Sequence, residues 1–424
     1  MKRKKKKLRK LRVLFVFLLF IVFIFAINNF LNNEKKETNS YEISIEENEK
    51  EKSKKEKDSI KVLLENDEKT EEEKPDTKFS MAFTGDIMCH NTMYMDAYDQ
   101  ETDTYDFSYF FDDVREYLEK TDITIGNLET TFAGKEVGYS SYPTFNTPET
   151  LGDALKDVGF DVLTTANNHC MDKWYSGLES TIDYLDKLEI SHTGTFKSKE
   201  DQSNILIKNV NGVNIAFLSF TYGTNGIKIP EGKEYAVNLI DKELMSNQLN
   251  LAKKTDAEFI CVCMHWGIEY QTVPNDEQKE LAEFLIKNGA DLIIGNHPHV
   301  PQSMEIKEVL LDDGSKKEAF VIYSLGNFMA DQGKKYTRDS LILNLEYERN
   351  GKTGDITLNS ATYIPTYIYK NPNKSSKKFK ILDMKKSIER YESGENKSIG
   401  SEIYQLLKEE IENVRKIVGD EIEL

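Results

Sequence analysis

The chain is poor in cysteine, histidine, tryptophan and proline, with four Cys, six His, two Trp and nine Pro in 424 residues. None of the cysteines forms a Cys-X-X-Cys pair, which excludes the thiolate spacing of structural zinc sites and of redox motifs. Cys261 and Cys263 share one face of a predicted strand, where they are poorly placed to bond each other. If the cysteines lie outside the cell, a disulfide between them is permitted but not required.

Hydrophobic residues form only 39% of the chain, and the N-terminal 78 residues explain much of this low value. Lys2–Arg12 carries nine Lys or Arg and no acid, and Val13–Ile27 is an unbroken apolar run. We interpret 1–12 as a basic cytoplasmic tail and 13–31 as a transmembrane signal anchor, which makes the rest of the chain extracellular. A cleaved signal peptide is the alternative, but the surroundings of Ala26 are a poor cleavage site.

Segment 32–78 is dominated by Glu, Lys, Asp and Ser and has almost no aromatic residues. Because such a composition cannot bury a core, we predict a charged, disordered tether. The net charge of the chain is −17 even though nine positive charges lie in the basic tail, so the remainder is strongly acidic. An acidic surface repels nucleic acid, and we expect no nucleic-acid partner.

From residue 79 onward, short apolar strands such as Phe79–Gly85 alternate with amphipathic helical stretches. This alternation is typical of βα units around a largely parallel sheet. Asn211-Gly212 lies between two strands of alternating polarity and predicts a two-residue hairpin turn. We therefore predict one mixed α/β layered domain over 79–370, followed by a charged, partly helical extension over 371–424.

The predicted strands end in polar side chains that can bind metal ions. Five of the six histidines follow such strands, and His192 is the exception. In α/β sheets, ligands collect beyond the carboxyl ends of the strands. A single Asp or Asn at a strand end is more often a helix N-cap, but recurrence at successive strands favours a metal site. These strand-end residues are Asp86, His90, Asn127, Glu129, Asn167, Asn168, His169, His265, Glu269, His297, His299 and Asn327.

Gly295–Val300 is the most informative of these strand ends. It follows an apolar run and places His297 and His299 on either side of a proline, a spacing that suits a chelate better than a core. The mixture of imidazole, carboxylate and amide oxygen, without thiolate, suits Mn, Fe or Zn. We expect one or two such divalent ions.

Five ordered motifs, from Gly85-Asp86 to Gly295–Val300, resemble those of the CapA-type poly-γ-glutamate capsule biosynthesis proteins, in the calcineurin-like metallophosphoesterase superfamily. The motifs between them are Gly-Asn-X-Glu, Asn-Asn-His and His-Trp-Gly-X-Glu-Tyr. The resemblance covers Phe79 to about Tyr363. It implies a four-layer αββα sandwich with metals on strand-end loops, in a membrane-attached protein that faces outward.

The resemblance also implies roles for individual residues. The implied metal ligands are Asp86, Glu129, Asn168, His265, His297 and His299. His169 is implied as the acid that protonates a leaving group, and we expect Glu269 to act as a base or as an orienting residue. Further substrate-binding candidates are Asn127, Asn167, Asn327 and Arg338. Arg338 is a candidate clamp for carboxylate or phosphate, with a surface salt bridge as the alternative.

Two positions depart from the superfamily's pattern. Met88 stands where the first motif has a histidine, and a thioether is a poor ligand for a hard metal. Glu129 replaces the usual aspartate and is one methylene longer. His90 could replace the missing histidine only if its loop curls back. These departures predict weak binding of a second ion and slow phosphodiester turnover.

Three functions are compatible with the sequence. The first is a membrane-anchored extracellular protein of poly-γ-glutamate or related anionic polymer synthesis, export or attachment, with a metallohydrolase-like centre. The second is an extracellular phosphoesterase unrelated to capsule, and the third is a non-catalytic scaffold subunit of a polymer synthase. The expected partners are an anionic polymer or phosphoester substrate, the membrane, and membrane subunits of a synthase.

Overall fold

The computed structural model of the protein describes residues 75–395 and 399–423. These residues belong to the unit that begins at Pro75. The predicted basic tail at 1–12, the anchor at 13–31 and all but the last four residues of the tether lie outside the described residues. Among the residues that are described, none of the helices has the length and apolar character needed to cross a membrane.

The described part of the chain contains seventeen strands and nine α-helices. The strands are β1 (Thr77–Ile87), β2 (Tyr98–Asp99), β3 (Thr104–Tyr105), β4 (Ile123–Leu128), β5 (Val162–Thr164), β6 (Ser191–Thr193), β7 (Leu206–Val210), β8 (Val213–Thr221), β9 (Phe259–His265), β10 (Leu292–Asn296), β11 (Met304–Leu310), β12 (Lys316–Ile322), β13 (Asn327–Met329), β14 (Asp339–Arg349), β15 (Ile356–Lys370), β16 (Phe379–Asp383) and β17 (Ile422–Glu423). The helices are α1 (Asn91–Ala97), α2 (Arg115–Lys120), α3 (Thr150–Asp157), α4 (Trp174–Lys187), α5 (Lys199–Ser203), α6 (Lys242–Ala252), α7 (Asp276–Lys287), α8 (Met384–Glu392) and α9 (Ser401–Val418).

The strands form two mixed sheets and one two-stranded ribbon. The first sheet has the order β16-β15-β14-β1-β4-β5-β6, with β13 beside β1 and β17 beside β15. Its strands β1, β4, β5 and β6 are parallel, and β14 is antiparallel to β1. The second sheet has the order β11-β12-β10-β9-β8-β7, with parallel pairing from β12 to β8 and antiparallel edges. The parallel strands of each sheet bring their carboxyl ends to one edge of that sheet.

The predicted hairpin is confirmed. Asn211 and Gly212 connect β7 to β8, with φ angles of 51° and 86°. Two consecutive residues with positive φ are what a tight hairpin turn requires, and asparagine and glycine tolerate that conformation best.

The inner faces of the two sheets share one apolar core, in which Phe83 and Ile125 of the first sheet join Phe217 and Ile294 of the second. Residues of α1 to α4 cover the outer face of the first sheet. Residues of α6 and α7 cover the outer face of the second. The described residues thus form helices, sheet, sheet and helices in succession, and the predicted mixed α/β architecture is confirmed.

The segment predicted as an extension after residue 370 is an integral part of this domain. β15 itself ends at Lys370, and β16 and β17 then add to the first sheet. Leu407, Val414 and Val418 of α9 belong to the core that the two sheets share. Their spacing places them on one side of the helix, so a charged sequence still buries an apolar stripe.

Candidate metal centre

The ends of four parallel strands bring the predicted ligands together. Asp86 at the end of β1 is paired in register with Asn127 of β4, and His265 of β9 is paired with Asn296 of β10. The loop after β10 crosses to the first sheet, where the His297 backbone N–H donates to Asp86 Oδ2 over 3.2 Å. The two sheets therefore contribute to a single site.

Backbone conformation at the end of β10 is unusual. His297 and His299 have φ angles of 98° and 59°, in the region that residues other than glycine rarely adopt. Such conformations persist where the surroundings fix them, and they concentrate at functional sites. Here the strained loop turns both imidazoles inward, and both residues are buried.

Two groups of side chains have the geometry to hold a metal ion, with ligand atoms lying within 4.8 Å of one another in each group. The first group comprises Glu129, His265 and His297, and the second comprises Asp86, Glu129 and His299. Glu129 belongs to both groups. Its carboxylate is therefore placed to be shared by two neighbouring ions.

Unsatisfied buried atoms indicate that these groups suit a cation. Both carboxylate oxygens of Glu129 are buried without a hydrogen-bond partner, and so is Nδ1 of His297. A buried polar atom without a partner is costly unless a bound group compensates for it. Three such acceptor atoms in one cluster match what a divalent metal supplies, so the residues present fit a metal centre.

Burial and neighbouring charges shift the pKa values of the cluster in different directions, so His265 and His297 are in the neutral form that binds metals, whereas Glu129 and His299 must release a proton to do so. Burial lowers the pKa of His265 to about 3 and that of His297 well below its usual range, which keeps both imidazoles neutral. Burial, reinforced by the charge of Asp86, raises the pKa of Glu129 well above its usual range. Burial also opposes the charge on His299, but Glu129 and Asp86 outweigh it and raise the pKa of His299 to about 9.

Asn168 adds an amide oxygen to the cluster, as the sequence predicts. Its Oδ1 lies 2.7 Å from Nε2 of His265, and its Nδ2 donates to Oδ1 of Asn225 over 3.2 Å. The contact with Asn225 fixes the orientation of the amide and turns its oxygen toward the ligands.

Three asparagines predicted to bind substrate make hydrogen bonds within the protein, and two of them contact predicted ligands. Asn127 Nδ2 donates to Asp86 Oδ1 over 2.8 Å. Asn167 Nδ2 donates to the Leu128 carbonyl over 2.7 Å. Asn327 Oδ1 lies 3.0 Å from His299 Nδ1. All three residues are buried.

Arg338 is the other predicted substrate contact that the structure places differently. Its guanidinium donates to Asp331 over 2.9 Å and to the Ile368 carbonyl over 3.3 Å. Lys370 also donates to Asp331, over 2.7 Å. The salt-bridge alternative thus describes Arg338, because its charge is already paired within the protein.

The predicted acid His169 is held by a carboxylate. Its Nδ1 lies 2.6 Å from Asp172 Oδ2, and the same oxygen accepts the Phe145 backbone N–H over 2.6 Å. The Phe145 ring packs edge-on against the imidazole with 4.8 Å between ring centres. The aromatic-rich loop around Phe145 therefore packs against His169.

Glu269 lies at the opening of the site and is exposed. Its negative charge is one of the influences that raise the pKa of His299, after burial, Glu129 and Asp86. Burial raises the pKa of the neighbouring Tyr270 hydroxyl, and a hydrogen bond to Glu269 raises it further. The structure thus places Glu269 beside the ligands at the solvent boundary.

Met88 and its predicted substitute His90 do not belong to either of the two ligand groups. Met88 is buried in the apolar cluster beneath the outer helices of the first sheet. His90 Nδ1 accepts the Asp331 backbone N–H over 3.1 Å, and burial lowers its pKa to about 4. Of the two departures behind the expectation of a weak second ion, Met88 is not part of the group of Asp86, Glu129 and His299, whereas Glu129 is part of it.

Sequence reasoning missed Tyr222, which borders the cluster. Its ring centre lies 4.5 Å from that of His297, and its backbone N–H donates to the His265 carbonyl over 3.1 Å. Tyr222 directly follows β8, so the rule that identified the other strand ends also applies to it.

The family profile described as "Bacterial capsule synthesis protein PGA_cap" matches residues 80–332 of the chain. The "Capsule biosynthesis protein CapA" of Bacillus anthracis is 31% identical over 294 residues, which is 66% of this chain and 66% of that protein. The "PGA biosynthesis protein CapA" of Bacillus subtilis is 32% identical over 285 residues, covering 65% of this chain and 70% of that protein. About a third of the Bacillus anthracis protein thus lies outside the match.

Among solved structures, the NAD nucleotidase of Haemophilus influenzae resembles the chain with a TM-score of 0.42 and 13% sequence identity. The alignment covers 81% of this chain and 61% of the nucleotidase. The family match extends over more than half of the chain and includes all six predicted ligand positions. The chain therefore belongs to the bacterial capsule synthesis protein family PGA_cap.

Proposed function

We propose that the chain is a membrane-anchored, outward-facing protein of poly-γ-glutamate capsule formation whose metal centre hydrolyses a bond in an anionic substrate. Membership of the capsule synthesis family supports the role in capsule formation. Two relatives are named for capsule or PGA biosynthesis, which supports poly-γ-glutamate as the polymer. The hydrolytic part of the proposal rests on the cluster around Glu129.

The observation that carries this proposal is the position of the Glu129 carboxylate. It is fully buried, both of its oxygens are unpartnered, and it belongs to both ligand groups. A structural role would pair these oxygens with donors, because burial of an unpaired carboxylate is costly. A carboxylate shared between two metal positions is typical of hydrolytic two-metal sites.

Imidazole, carboxylate and amide ligands suit Mn, Fe or Zn, and we propose that the ions come from this set. When bound, such ions supply Lewis acidity toward the substrate. The protein contributes the fixed geometry of the ligands. Asn127 orients Asp86, Asn327 orients His299, and Asn225 orients Asn168.

The contact of His169 with Asp172 supports a role in proton transfer. Because Asp172 accepts from Nδ1, the carboxylate orients the ring and stabilises the charged imidazolium, leaving Nε2 to donate to a leaving group. His169 directly follows Asn168, whose amide oxygen lies 2.7 Å from His265 Nε2, so the His169 backbone lies beside the cluster. We assign His169 the role of general acid and Asp172 the role of its positioning residue.

A His169→Asn variant is expected to keep its metal and to lose turnover by about 100-fold, the lower end of the contribution of a general acid. Hydrolysis of a phosphodiester and of poly-γ-glutamate, measured with the metal content of the same sample, checks this. His192→Asn is the matched control, since His192 contacts Asp186 away from the ligand groups. Equal activity of the two variants would contradict the assignment.

The membrane attachment rests on the sequence of residues 2–31. The basic block followed by an apolar run supports a single-pass anchor with the domain outside the cell. Membrane subunits of a polymer synthase are the partners that this location favours.

Because of the anchor, membrane fractions should retain the chain after a high-salt wash, and protease added to intact cells should reach the domain. Recovery of a soluble chain that begins near residue 28 would exclude the anchor.

The test of the metal centre is elemental analysis of the full-length chain purified from metal-replete medium. We expect two divalent ions per chain, since each ligand group supplies three protein atoms and Glu129 serves both. Prolonged dialysis against a chelator should remove the ions and abolish hydrolysis, and re-addition of Mn should restore both. A chain that holds no divalent metal under replete conditions would refute the proposal.

A further inference from the structure

The loop from Asp331 to Arg338 has a positive charge on a strongly acidic protein. It carries Lys334, Lys335 and Arg338 against the single acid Asp331, whereas the chain as a whole has a net charge of −17. A local excess of positive charge on an acidic surface attracts anions to that place.

The cations of this loop differ in what they contact. Arg338 is paired with Asp331. The Lys335 ammonium lies 4.4 Å from the Tyr336 ring centre. A hydrogen bond with the Tyr336 hydroxyl raises the pKa of Lys335, and the charges of Glu410 and Glu409 raise it further. Lys334 makes no ion pair with any other residue that the structure describes, and its Nζ lies 3.6 Å from the centre of the Tyr270 ring. Its charge is therefore held in place without being neutralised.

Tyr270 connects this lysine to the metal centre. Its ring centre lies 6.0 Å from that of His299, and its backbone N–H donates over 2.8 Å to the carbonyl of Pro298, between the two histidine ligands. A lysine that rests on this ring is separated from His299 by a single side chain. Lys334 is exposed, so its ammonium is accessible to a ligand in solvent.

The loop is fixed from the metal centre itself. Asn327 accepts from His299 through Oδ1, and its Nδ2 donates over 2.9 Å to the Thr337 carbonyl and over 3.1 Å to Gln332 Oε1. Thr337 in turn donates through Oγ1 to the Lys334 carbonyl over 2.7 Å. One amide thus orients a metal ligand and also holds the loop that presents the lysine.

Exposed apolar groups border the same opening. Tyr222 packs on His297 and has 47% of its surface exposed, and Ile268, two residues before Tyr270, is 49% exposed. A cation beside apolar surface suits a chain that alternates methylene groups with carboxylates. A small phosphate ligand would contact only the cation and would make no use of the apolar surface.

We propose that Lys334 binds a carboxylate of a polyanionic chain beyond the bond that reacts, and that this contact selects poly-γ-glutamate-like substrates for the metal centre. This inference rests on the proposed function of the site. Lys334 touches no reacting atom in it, so its role is to position substrate and to determine specificity. The Tyr270 ring holds the ammonium by a cation–π contact and leaves its donors free for the carboxylate.

The test compares full-length chains with Lys334→Met and Lys334→Arg, with end-labelled poly-γ-glutamate as the probe. Methionine keeps an apolar side chain of similar length and removes the charge. We expect the dissociation constant for the polymer to rise about fivefold, the upper end for one exposed ion pair. The Lys334→Arg variant should bind within about twofold of the native chain, because it restores the cation.

The control variant is Lys316→Met, an exposed lysine at the start of β12, the end opposite to the carboxyl ends that build the site. It should bind the polymer as tightly as the native chain. A polymer with amidated carboxylates should bind the native and Lys334→Met chains equally. An equal loss of polymer affinity in Lys334→Met and Lys316→Met would overturn the inference. Unchanged polymer affinity in Lys334→Met would also overturn it.

Two further measurements separate this inference from the proposed function. Metal content should be the same in all variants, and a metal-free native chain would refute the proposed function whatever the polymer affinity. The KM for a small phosphodiester should be unchanged by Lys334→Met, because that substrate has no anionic group beyond the reacting one. A raised KM for the phosphodiester with unchanged polymer affinity would assign Lys334 to the reacting phosphate and overturn the inference.

Discussion

A Glu129→Gln variant is expected to lose both divalent ions together, with the affinity of each reduced by more than about 100-fold. Loss of a residue that merely orients a ligand typically reduces metal affinity by 10–100-fold, and loss of a shared ligand should exceed this. Glu129 is the one residue common to the groups completed by His297 and by His299. An amide at this position keeps the size of the side chain and removes the charge.

Without metal, the Glu129→Gln change should leave the stability of the protein unchanged or raise it. The native carboxyl is buried without a partner, and burial together with Asp86 raises its pKa, so ionisation there opposes folding. A neutral amide removes this unfavourable charge, and the metal-free variant should unfold at the same temperature as the native chain or at a higher one. At a free metal concentration 100 times the dissociation constant, the native chain should gain about 2.7 kcal/mol of stability for each bound ion, and the variant much less.

Thermal unfolding with chelator and with added Mn measures both effects on the same samples. The order of the two melting temperatures should reverse, or change from equal to clearly different, when the metal is added. Asp339→Asn is the control, because Asp339 is a buried carboxyl outside the two ligand groups, with a pKa raised to about 8 chiefly by burial. If Glu129→Gln retains the native response to Mn, Glu129 is not a ligand.

The sequence predicted the ligand cluster because one physical rule places it. Parallel strands bring their carboxyl ends to one edge of a sheet, so Asp86 meets Asn127 in the first sheet and His265 meets Asn296 in the second, and packing of the two sheets brings these edges together. The histidine pair after β10 was detectable for a second reason: a Gly-Asn-His-Pro-His sequence does not continue a strand. Six residues predicted as ligands lie in or beside one cluster in the structure.

The roles of the remaining polar residues could not be predicted from the sequence. Whether an asparagine at a strand end faces a substrate or holds a ligand depends on side-chain direction, and Asn327 turns inward to His299. Arg338 has a partner, Asp331, only because the loop between them folds back on itself. Lys334 was missed for the converse reason, since its contact with Tyr270 joins segments about 60 residues apart and has no local sequence signal.

The C-terminal boundary shows a similar limit. High charge after residue 370 suggested a separate extension, yet α9 buries Leu407 and Val418 in the shared core. Charge density describes the exposed side of an amphipathic helix, and the apolar side is visible only from spacing. Composition alone therefore does not show that this segment packs on the domain.

Replacement of Gly85 by alanine should be the most destabilising of the single changes considered for this domain. A Cβ added at Gly85 would lie 1.9 Å from the carbonyl oxygen of Gly326, far inside any normal contact. The same oxygen accepts the Asp86 backbone N–H over 2.9 Å, so the two segments cannot separate without breaking that bond. We expect the free energy of unfolding to fall by about 3 kcal/mol, as for severe overpacking of a core.

The effect on the site follows from the same contact. Separation of Gly85 from Gly326 moves Asp86 away from Asn327, and Asn327 in turn orients His299. Metal affinity should therefore fall together with stability in Gly85→Ala. Urea denaturation, read from the midpoint at an unchanged slope, and metal content of the folded fraction measure the two quantities.

Gly333→Ala is the matched control for this change. Gly333 lies on the loop that carries Lys334, its added Cβ meets open space, and its φ angle is not positive. The stability of this variant should remain within about 0.5 kcal/mol of that of the native chain, as for surface substitutions elsewhere. If Gly85→Ala unfolds at the same urea concentration as Gly333→Ala, β1 and the loop before β13 are not in contact at Gly85, and Asp86 is not anchored to the Asn327 loop in the way described.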